Sequence, residues 1–103
     1  MKSKTLVMVF EKDMGIFMGN YQKQALWSKC DIMESHKVYG FKTMKEATYY
    51  VDNHMDFIKG SIDFFEIPCN SSTYIDVIDI IKAGHKDKTE ELFLCLPTNP
   101  IIN

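Results

Sequence analysis

The chain has 103 residues, with twelve lysines, no arginine and fourteen acidic residues, for a net charge of −2. A hydrophobic content of 46% and a charged content of 25% are typical of one globular domain and exclude a disordered chain. No apolar run reaches the roughly 18 residues of a membrane span, and the absence of arginine removes the side chain best suited to bidentate phosphate contacts. We therefore expect a single domain over residues 1–103, without a membrane span or a dense basic patch.

The first predicted elements are two strands, a helix and a third strand. Leu6–Phe10 is a continuous apolar run and predicts a central strand, and Gly15–Met18 predicts the second arm of a hairpin. Asn20 is a candidate N-cap for a helix from Tyr21 to about Met33. Lys37–Phe41 is rich in aromatic and β-branched residues and predicts the third strand. Because Leu6–Phe10 is too short for the core of a signal peptide, we expect a cytoplasmic location.

A capping box predicts the start of the next helix. Thr43 can accept a hydrogen bond from the amide of Glu46, and Glu46 can reach back to the amide of Thr43. Apolar residues then recur at three- and four-residue spacing as far as Ile58, so they share one helix face. Gly60 predicts the end of this helix.

The last third predicts a strand and a helix. Ile62–Ile67 reads as a strand ended by Pro68. Asn70–Ser72 supplies N-cap candidates for an apolar helix over Thr73–Ala83, with Gly84 as its C′ residue. Two acidic residues near the start of that helix are expected to offset its dipole: Asp76 and Asp79.

Leu92–Leu96 predicts a final strand, and residues 99–103 a loose tail. The predicted fold is therefore α+β, with a mixed sheet of about five strands and about three helices in the order β-β-α-β-α-β-α-β. The first two strands would form an antiparallel hairpin, whereas Ile62–Ile67 and Leu92–Leu96 would be parallel neighbours through a crossover. We expect the helices to lie largely on one face of this sheet.

Two parts of residues 5–55 resemble one protein family. Val7–Glu11, a short turn and Gly15–Phe17 are similar to the opening hairpin of the viroplasmin-type domain, which also forms the N-terminal hybrid-binding domain of eukaryotic-type ribonuclease H. Tyr39–Ala47 is similar to the strand of that family and to the Thr-x-x-Glu-Ala helix that follows it. The resemblance covers about half of the chain and does not extend past Gly60.

The resemblance implies binding of RNA–DNA hybrid or double-stranded RNA. In that family the contacts are made by lysines at the end of the third strand and by an aromatic residue early in the first helix. Here Phe41 and Lys42 match the residues at the end of that family's third strand, and Tyr21 is the nearest equivalent of the aromatic residue. Tyr39-Gly40 stands where the family has its lysine pair.

No catalytic or metal-binding motif is present, so we expect no enzyme activity, no cofactor and no metal. Three cysteines at wide spacing fit neither a disulfide framework nor a zinc pattern and are expected to be buried free thiols: Cys30, Cys69 and Cys95. Three histidines lack the spacing of metal ligands: His36, His54 and His85. The enzymatic alternative is a site in which Cys69 is the nucleophile beside His54 or His85, since a nucleophile and its histidine can be distant in sequence and adjacent in the fold.

The aromatic content of 13% exceeds what one small core easily hides. Tyrosine and tryptophan dominate interface hot spots, so exposed aromatic residues are candidates for partner binding. Together with the positions from the family outline, the candidate partner-binding residues are Trp27, Tyr39, Tyr49, Tyr21, Phe41 and Lys42.

Three functions follow as hypotheses. The first is a small non-enzymatic module that binds a protein partner, like the accessory or inhibitor proteins of viruses and phages, acting in the host-cell cytoplasm. The use of lysine as the only basic residue besides histidine and the eleven isoleucines suggest an AT-rich genome, such as that of a low-GC bacterium, a phage or a virus. A variant is an acidic mimic of nucleic acid, with charges from Asp63, Glu66, Asp76, Asp79, Asp87, Glu90 and Glu91. The second is a nucleic-acid duplex binder, and the third is the enzyme described above.

Overall fold

The computed structural model describes residues 4–21, 24–30 and 37–93. Its elements follow in the order of four strands, a helix, two strands and two short helices. The strands are β1 (Lys4–Glu11), β2 (Gly15–Tyr21), β3 (Gln24–Trp27), β4 (Lys37–Tyr39), β5 (Ile62–Cys69) and β6 (Tyr74–Asp76). The helices are α1 (Met44–His54), α2 (Val77–Lys82) and the single turn α3 (Glu90–Phe93), with 3-10 turns at Asp56–Ser61 and Lys86–Lys88.

The strands form two antiparallel sheets, one with the order β3-β2-β1-β5 and the other made of β4 and β6. Strand β1 pairs with β5 along its whole length, from Lys4 opposite Cys69 to Glu11 opposite Ile62. Only the end of β1 nearest the hairpin turn pairs with β2, which continues toward β3. Further along β1, Val7 and Phe41 exchange two backbone hydrogen bonds of 2.8 and 3.0 Å, so the chain that follows β4 is held against β1.

The four-stranded sheet is covered on both faces. Alternate residues of β1 enter different cores: Leu6 and Met8 belong to one, and Val7 and Val9 to the other. The first core is shared with β4, β6 and α2, and the second with α1. A strand that is buried on both faces needs a continuous apolar run, so the predicted central strand is confirmed. The expectation that the helices lie on one face is wrong, because α1 and α2 pack on opposite faces.

Helix α1 begins where its local chemistry predicts. The hydroxyl of Thr43 accepts the amide hydrogen of Glu46 at 3.0 Å, and Ala47 and Val51 are buried against the sheet. The helix ends at His54 rather than at Gly60, and the 3-10 turn Asp56–Ser61 occupies the intervening residues. The predicted start is confirmed, and the predicted end is six residues too late.

The helix predicted from Tyr21 to about Met33 is wrong over the part that the structure describes. Residues 24–27 form strand β3, residues 28–30 form a turn, and residues 31–33 lie outside the described residues. Trp27 is paired with Phe17 across β2 and β3, with ring centroids 5.4 Å apart. Cross-strand aromatic pairs of this kind stabilise a sheet and outweigh the weak helical stripe.

The segment after β5 also departs from the prediction. Strand β5 continues through Pro68 to Cys69, because an edge strand leaves one side of its backbone unpaired and tolerates proline there. Tyr74–Asp76 is strand β6 instead of the first turn of a helix, since Ile75 is fully buried opposite Val38 of β4.

Helix α2 is therefore short, and its caps lie within the predicted segment. The carboxylate of Asp79 accepts the amide hydrogen of Asp76 at 3.1 Å, so the N-cap is Asp76 and not Asn70–Ser72. Gly84 has a φ of +94° and donates its amide hydrogen to Ile81, while the next amide bonds to Ile80. The predicted C′ residue is confirmed as part of a Schellman motif.

The predicted final strand is also wrong where it is described. Leu92 lies in the helical turn α3 and is buried in the first core. Residues 94–96 and the tail at 99–103 lie outside the described residues. Because residues 92 and 93 are helical, the predicted parallel pairing of Ile62–Ile67 with Leu92–Leu96 is wrong at these two residues. The α+β class is confirmed, but the described residues form six strands in two antiparallel sheets instead of one mixed sheet of about five strands.

A buried carboxylate holds the turn between β1 and β2. The side chain of Glu11 accepts the amide hydrogens of Asp13 and Met14, both at 2.7 Å, and the residue is only 4% exposed. Burial raises the pKa of Glu11, but the two amides, the Ser61 hydroxyl and the charge of Lys12 together outweigh burial, so the pKa is lowered overall. The ionised carboxylate is thus the form that the folded state prefers.

We expect Glu11→Gln to reduce the free energy of unfolding at pH 7 by about 1 to 3 kcal/mol, because two charge-assisted hydrogen bonds are weakened. Since folding lowers the pKa of Glu11, its contribution is fully present above the ordinary glutamate value of about 4.3 and is lost as the pH falls through the lowered pKa. Urea unfolding at pH 7, 5 and 3 measures this change. The exposed Glu66→Gln is the control, and a wild-type advantage that stays constant down to pH 3 would contradict the prediction.

Candidate functional site

A groove lined with aromatic rings lies between the end of β4 and α1. Its larger part, the apolar compartment, has a volume of about 540 Å³ and is lined mainly by Tyr39, Phe41, Lys45, Glu46, Tyr49 and Tyr50. A smaller part, the polar compartment, has a volume of about 200 Å³. It shares three of those residues, Tyr39, Phe41 and Glu46, and adds Lys42, Ser72 and Thr73. We call the two compartments together the aromatic groove.

The base of the aromatic groove is a cluster of rings around Phe17. This side chain is 1% exposed, and its centroid lies 5.7 Å from Tyr39, 6.1 Å from Phe41 and 5.5 Å from Tyr50. The Tyr39 ring meets Phe41 edge-on at 4.7 Å. Edge-to-face and tilted contacts at these distances are the favourable arrangements for aromatic pairs. The cluster therefore holds the exposed rings on a packed foundation.

Exposure rises from the base of the groove to its rim. Phe41 is 5% exposed, Tyr39 is 43% exposed and Tyr49 is 70% exposed. Tyr50 is half-buried, its hydroxyl accepts a hydrogen bond from the Asn20 side chain, and its ring packs against that of His54 at 4.4 Å. Tyr39 and Tyr49 thus present the apolar ring surface that a partner can cover.

The structure brings together four of the six predicted partner-binding residues. Tyr39, Tyr49 and Lys42 are exposed along the groove, and Phe41 forms part of its base. Trp27 lies instead in the second core at 5% exposure, so it presents little surface to a partner. Tyr21 ends strand β2, and its side chain lies outside the described residues.

The remaining groove residues were missed by the sequence reasoning. Phe17 comes from the opening hairpin, and Ser72 and Thr73 come from the loop after β5. Nothing in their local patterns indicates a common surface, because they meet only through the pairing of the strands. Lys45 and Glu46 were partly predictable as surface residues near the site, since both belong to the exposed first turn of the helix that contains Tyr49.

Gly40 explains why no lysine follows Tyr39. A Cβ atom at this position would lie 2.7 Å from Cδ1 and 2.8 Å from Cβ of Leu6, and 3.1 Å from Cγ1 of Ile75. The backbone therefore passes too close to the first core for any larger side chain. The lysine pair that the family resemblance would place at 39–40 has no room at its second position.

The residues of the enzymatic alternative occupy structural positions. Burial, and then the charge of Asp79, raises the pKa of the Cys69 thiol, which keeps the less nucleophilic protonated form at neutral pH. The His54 ring packs on Tyr50, and the His85 ring packs on Phe65 at 4.5 Å. Within the described ranges, no group of three or more histidine, cysteine or acidic residues is arranged to hold a metal ion.

The cysteine prediction is confirmed for Cys69 and wrong for Cys30, which is exposed. Cys95 and His36 lie outside the described residues. Over residues 4–21, 24–30 and 37–93, no helix combines the length and the apolar character needed to cross a membrane.

Comparison of the chain with protein-family models, with curated proteins and with solved structures finds no match. A proposal of function therefore depends on the chemistry of the aromatic groove. That chemistry consists of two exposed tyrosine rings, a packed aromatic base, two lysines and one glutamate.

Proposed function

We propose that this protein is a small non-enzymatic binding module that holds a segment of a protein partner in the aromatic groove, as an accessory or inhibitor-like protein of a virus or phage. The observation that carries the proposal is the exposure of Tyr49 and Tyr39, at 70% and 43%, above a buried cluster of rings. Covering a large apolar side chain contributes about 1.5 to 3 kcal/mol. Tyrosine is enriched at binding hot spots because its ring is large and has few rotatable bonds.

The packed base favours this function over a purely structural one. Phe17 and Phe41 both pack against the ring of Tyr39, with centroid distances of 5.7 and 4.7 Å. A ring that is already restrained loses little conformational entropy on binding. Within the part of the chain that the structure describes, the Tyr49 ring packs against no other aromatic ring, so this exposed ring contributes little to the core.

We expect Tyr49→Ala to weaken binding of the partner at least tenfold, and Tyr39→Ala, Tyr49→Ala together to abolish capture. The measurement is affinity capture from lysate of the source cell with mass spectrometry, followed by titration of the captured partner against each variant. Ile78→Ala is the matched control, because Ile78 is 54% exposed on α2 and does not line the groove. A partner that binds the double variant as tightly as the wild type would refute the proposal.

Binding of a nucleic-acid duplex is the second candidate function. Its support is the family resemblance, together with the exposed Lys42 beside Phe41 and the exposed Lys45 in the first turn of α1. This function predicts retention of RNA–DNA hybrid or double-stranded RNA that weakens steeply with salt. The absence of a gel shift at 50 mM salt, at about 10 µM protein, would exclude it, since non-specific binding alone gives affinities of this order.

A further inference from the structure

We infer that the segment held in the aromatic groove is an extended peptide with a large apolar or aromatic side chain and an acidic residue two positions from it. This inference rests on the proposed function and names the chemistry of its partner. It is argued from the unlike character of the two compartments and from the charges that line them.

The sizes and the shared lining of the compartments suit side chains of one extended chain. The apolar compartment is about 540 Å³ and the polar compartment about 200 Å³, and both are lined by Tyr39, Phe41 and Glu46. In an extended peptide, side chains two residues apart point to the same side and lie about 6.6 Å apart. A large apolar side chain can fill the first compartment while a small polar one, two positions away, occupies the second.

The polar compartment is equipped to receive a carboxylate. Lys42 is exposed there, and Ser72 and Thr73 supply hydroxyl groups. Ammonium and hydroxyl groups donate hydrogen bonds, and bonds to an ionised acceptor are stronger than neutral ones. The peptide dipole of α1, which begins at Met44, adds positive potential beside Lys42.

The balance of charge favours a single acidic residue over a polyanion. Two lysines, Lys42 and Lys45, and one glutamate line the groove among the described residues. Glu46 lines both compartments, so it would repel an anion in either of them, whether a peptide carboxylate or a phosphate. A single carboxylate can be placed beside Lys42, whereas a nucleic-acid strand that spans both compartments brings several phosphates along the residue that lines them both.

The test is selection of a phage-displayed library of random linear 12-residue peptides on the wild-type protein, followed by fluorescence polarisation of labelled selected peptides. We expect enriched sequences to carry Trp, Phe, Tyr or Leu with Asp or Glu two positions away. We expect Lys42→Glu to weaken these peptides at least tenfold, and a peptide with its acidic residue changed to lysine to bind Lys42→Glu better than the wild type. Lys86→Glu, an exposed lysine outside the groove, is the matched control and should change nothing.

Two outcomes overturn the inference and leave the proposed function standing. One is enrichment of peptides with basic or uncharged residues beside the apolar side chain. The other is equal affinity of the selected peptides for Lys42→Glu and for the wild type. In both cases binding must still require Tyr49. Two others overturn both claims. One is that the wild type enriches no peptide over the variant in which Tyr39 and Tyr49 are both changed to alanine. The other is that the wild type shifts a 20-nucleotide oligothymidylate in a gel and that Tyr49→Ala removes this shift.

Discussion

Replacing Phe17 with alanine is expected to lower the free energy of unfolding by about 3 to 5 kcal/mol and to abolish binding in the aromatic groove. Phe17 is the largest of the fully buried side chains in the described residues. Its ring contacts those of Trp27, Tyr39, Phe41 and Tyr50, with centroids 5.4, 5.7, 6.1 and 5.5 Å away. Each aromatic contact adds about 0.5 to 1.5 kcal/mol beyond the area that it buries. The cavity would therefore remove support from the second core and from the rings of the aromatic groove at once.

Urea denaturation at pH 7 measures the change, and Phe57→Ala is the matched control. The control removes the same atoms from a residue that is 82% exposed, so its effect should stay within about 0.5 kcal/mol. Phe17→Leu keeps most of the apolar volume and should remain folded while the rings above it lose their contact. An effect of Phe17→Ala below 1 kcal/mol would show that the rings do not depend on this base.

Gly15→Ala is expected to cost about 2 to 4 kcal/mol, through both the backbone and the packing. Gly15 has a φ of +92°, a conformation that residues with a Cβ atom rarely adopt. The added Cβ would lie 2.3 Å from the hydroxyl oxygen of Ser28. That oxygen accepts the amide hydrogen of Ile16 at 2.9 Å in a buried position, so displacing it also breaks a buried hydrogen bond.

Alanine variants of three other glycines distinguish the backbone cause from the packing cause. Gly40→Ala adds a steric clash with Leu6 without a positive φ, and Gly84→Ala meets a φ of +94° with open space around it. Gly60 has neither constraint, so Gly60→Ala should be neutral or stabilising by up to about 1 kcal/mol. Thermal and urea unfolding of the four variants should place Gly15→Ala as the most destabilised. A Gly60→Ala variant as unstable as Gly15→Ala would contradict this explanation.

Elements specified by short-range chemistry were predictable. The hydroxyl of Thr43 caps α1 through a hydrogen bond to an amide three residues away, and Gly84 ends α2 through bonds to its own last turn. The hairpin of β1 and β2 follows from an apolar run, a turn and a second apolar segment. In each case the interacting groups are close in the chain, so the sequence pattern contains the whole interaction.

Short strands were not predictable, because their partners are distant. Gln24–Trp27 and Tyr74–Asp76 have four and three residues. These are too few to distinguish the two-residue hydrophobic repeat of a strand from the 3.6-residue repeat of a helix. Trp27 becomes part of a strand through Phe17, ten residues earlier. Ile75 becomes part of a strand through Val38, which lies on a different third of the chain.

The candidate site shows the same division. The residue types suggested a partner surface, and Tyr39, Tyr49 and Lys42 do lie on one groove. Whether a given ring lies outside or inside depended on tertiary packing, which buries Trp27 and leaves Tyr49 70% exposed. An aromatic residue fits a core and an interface equally well, so its type does not decide its location.

The sequence by itself determined the α+β class, the central strand β1, the hairpin and the capped start of α1. These depend on hydrophobic periodicity and on hydrogen bonds between residues at most a few positions apart. The tertiary structure alone decided the two antiparallel sheets, the coverage of both sheet faces and the aromatic groove. The groove joins Phe17, Tyr39, Tyr49 and Thr73, which are brought together only when distant strands pair and exclude water between them.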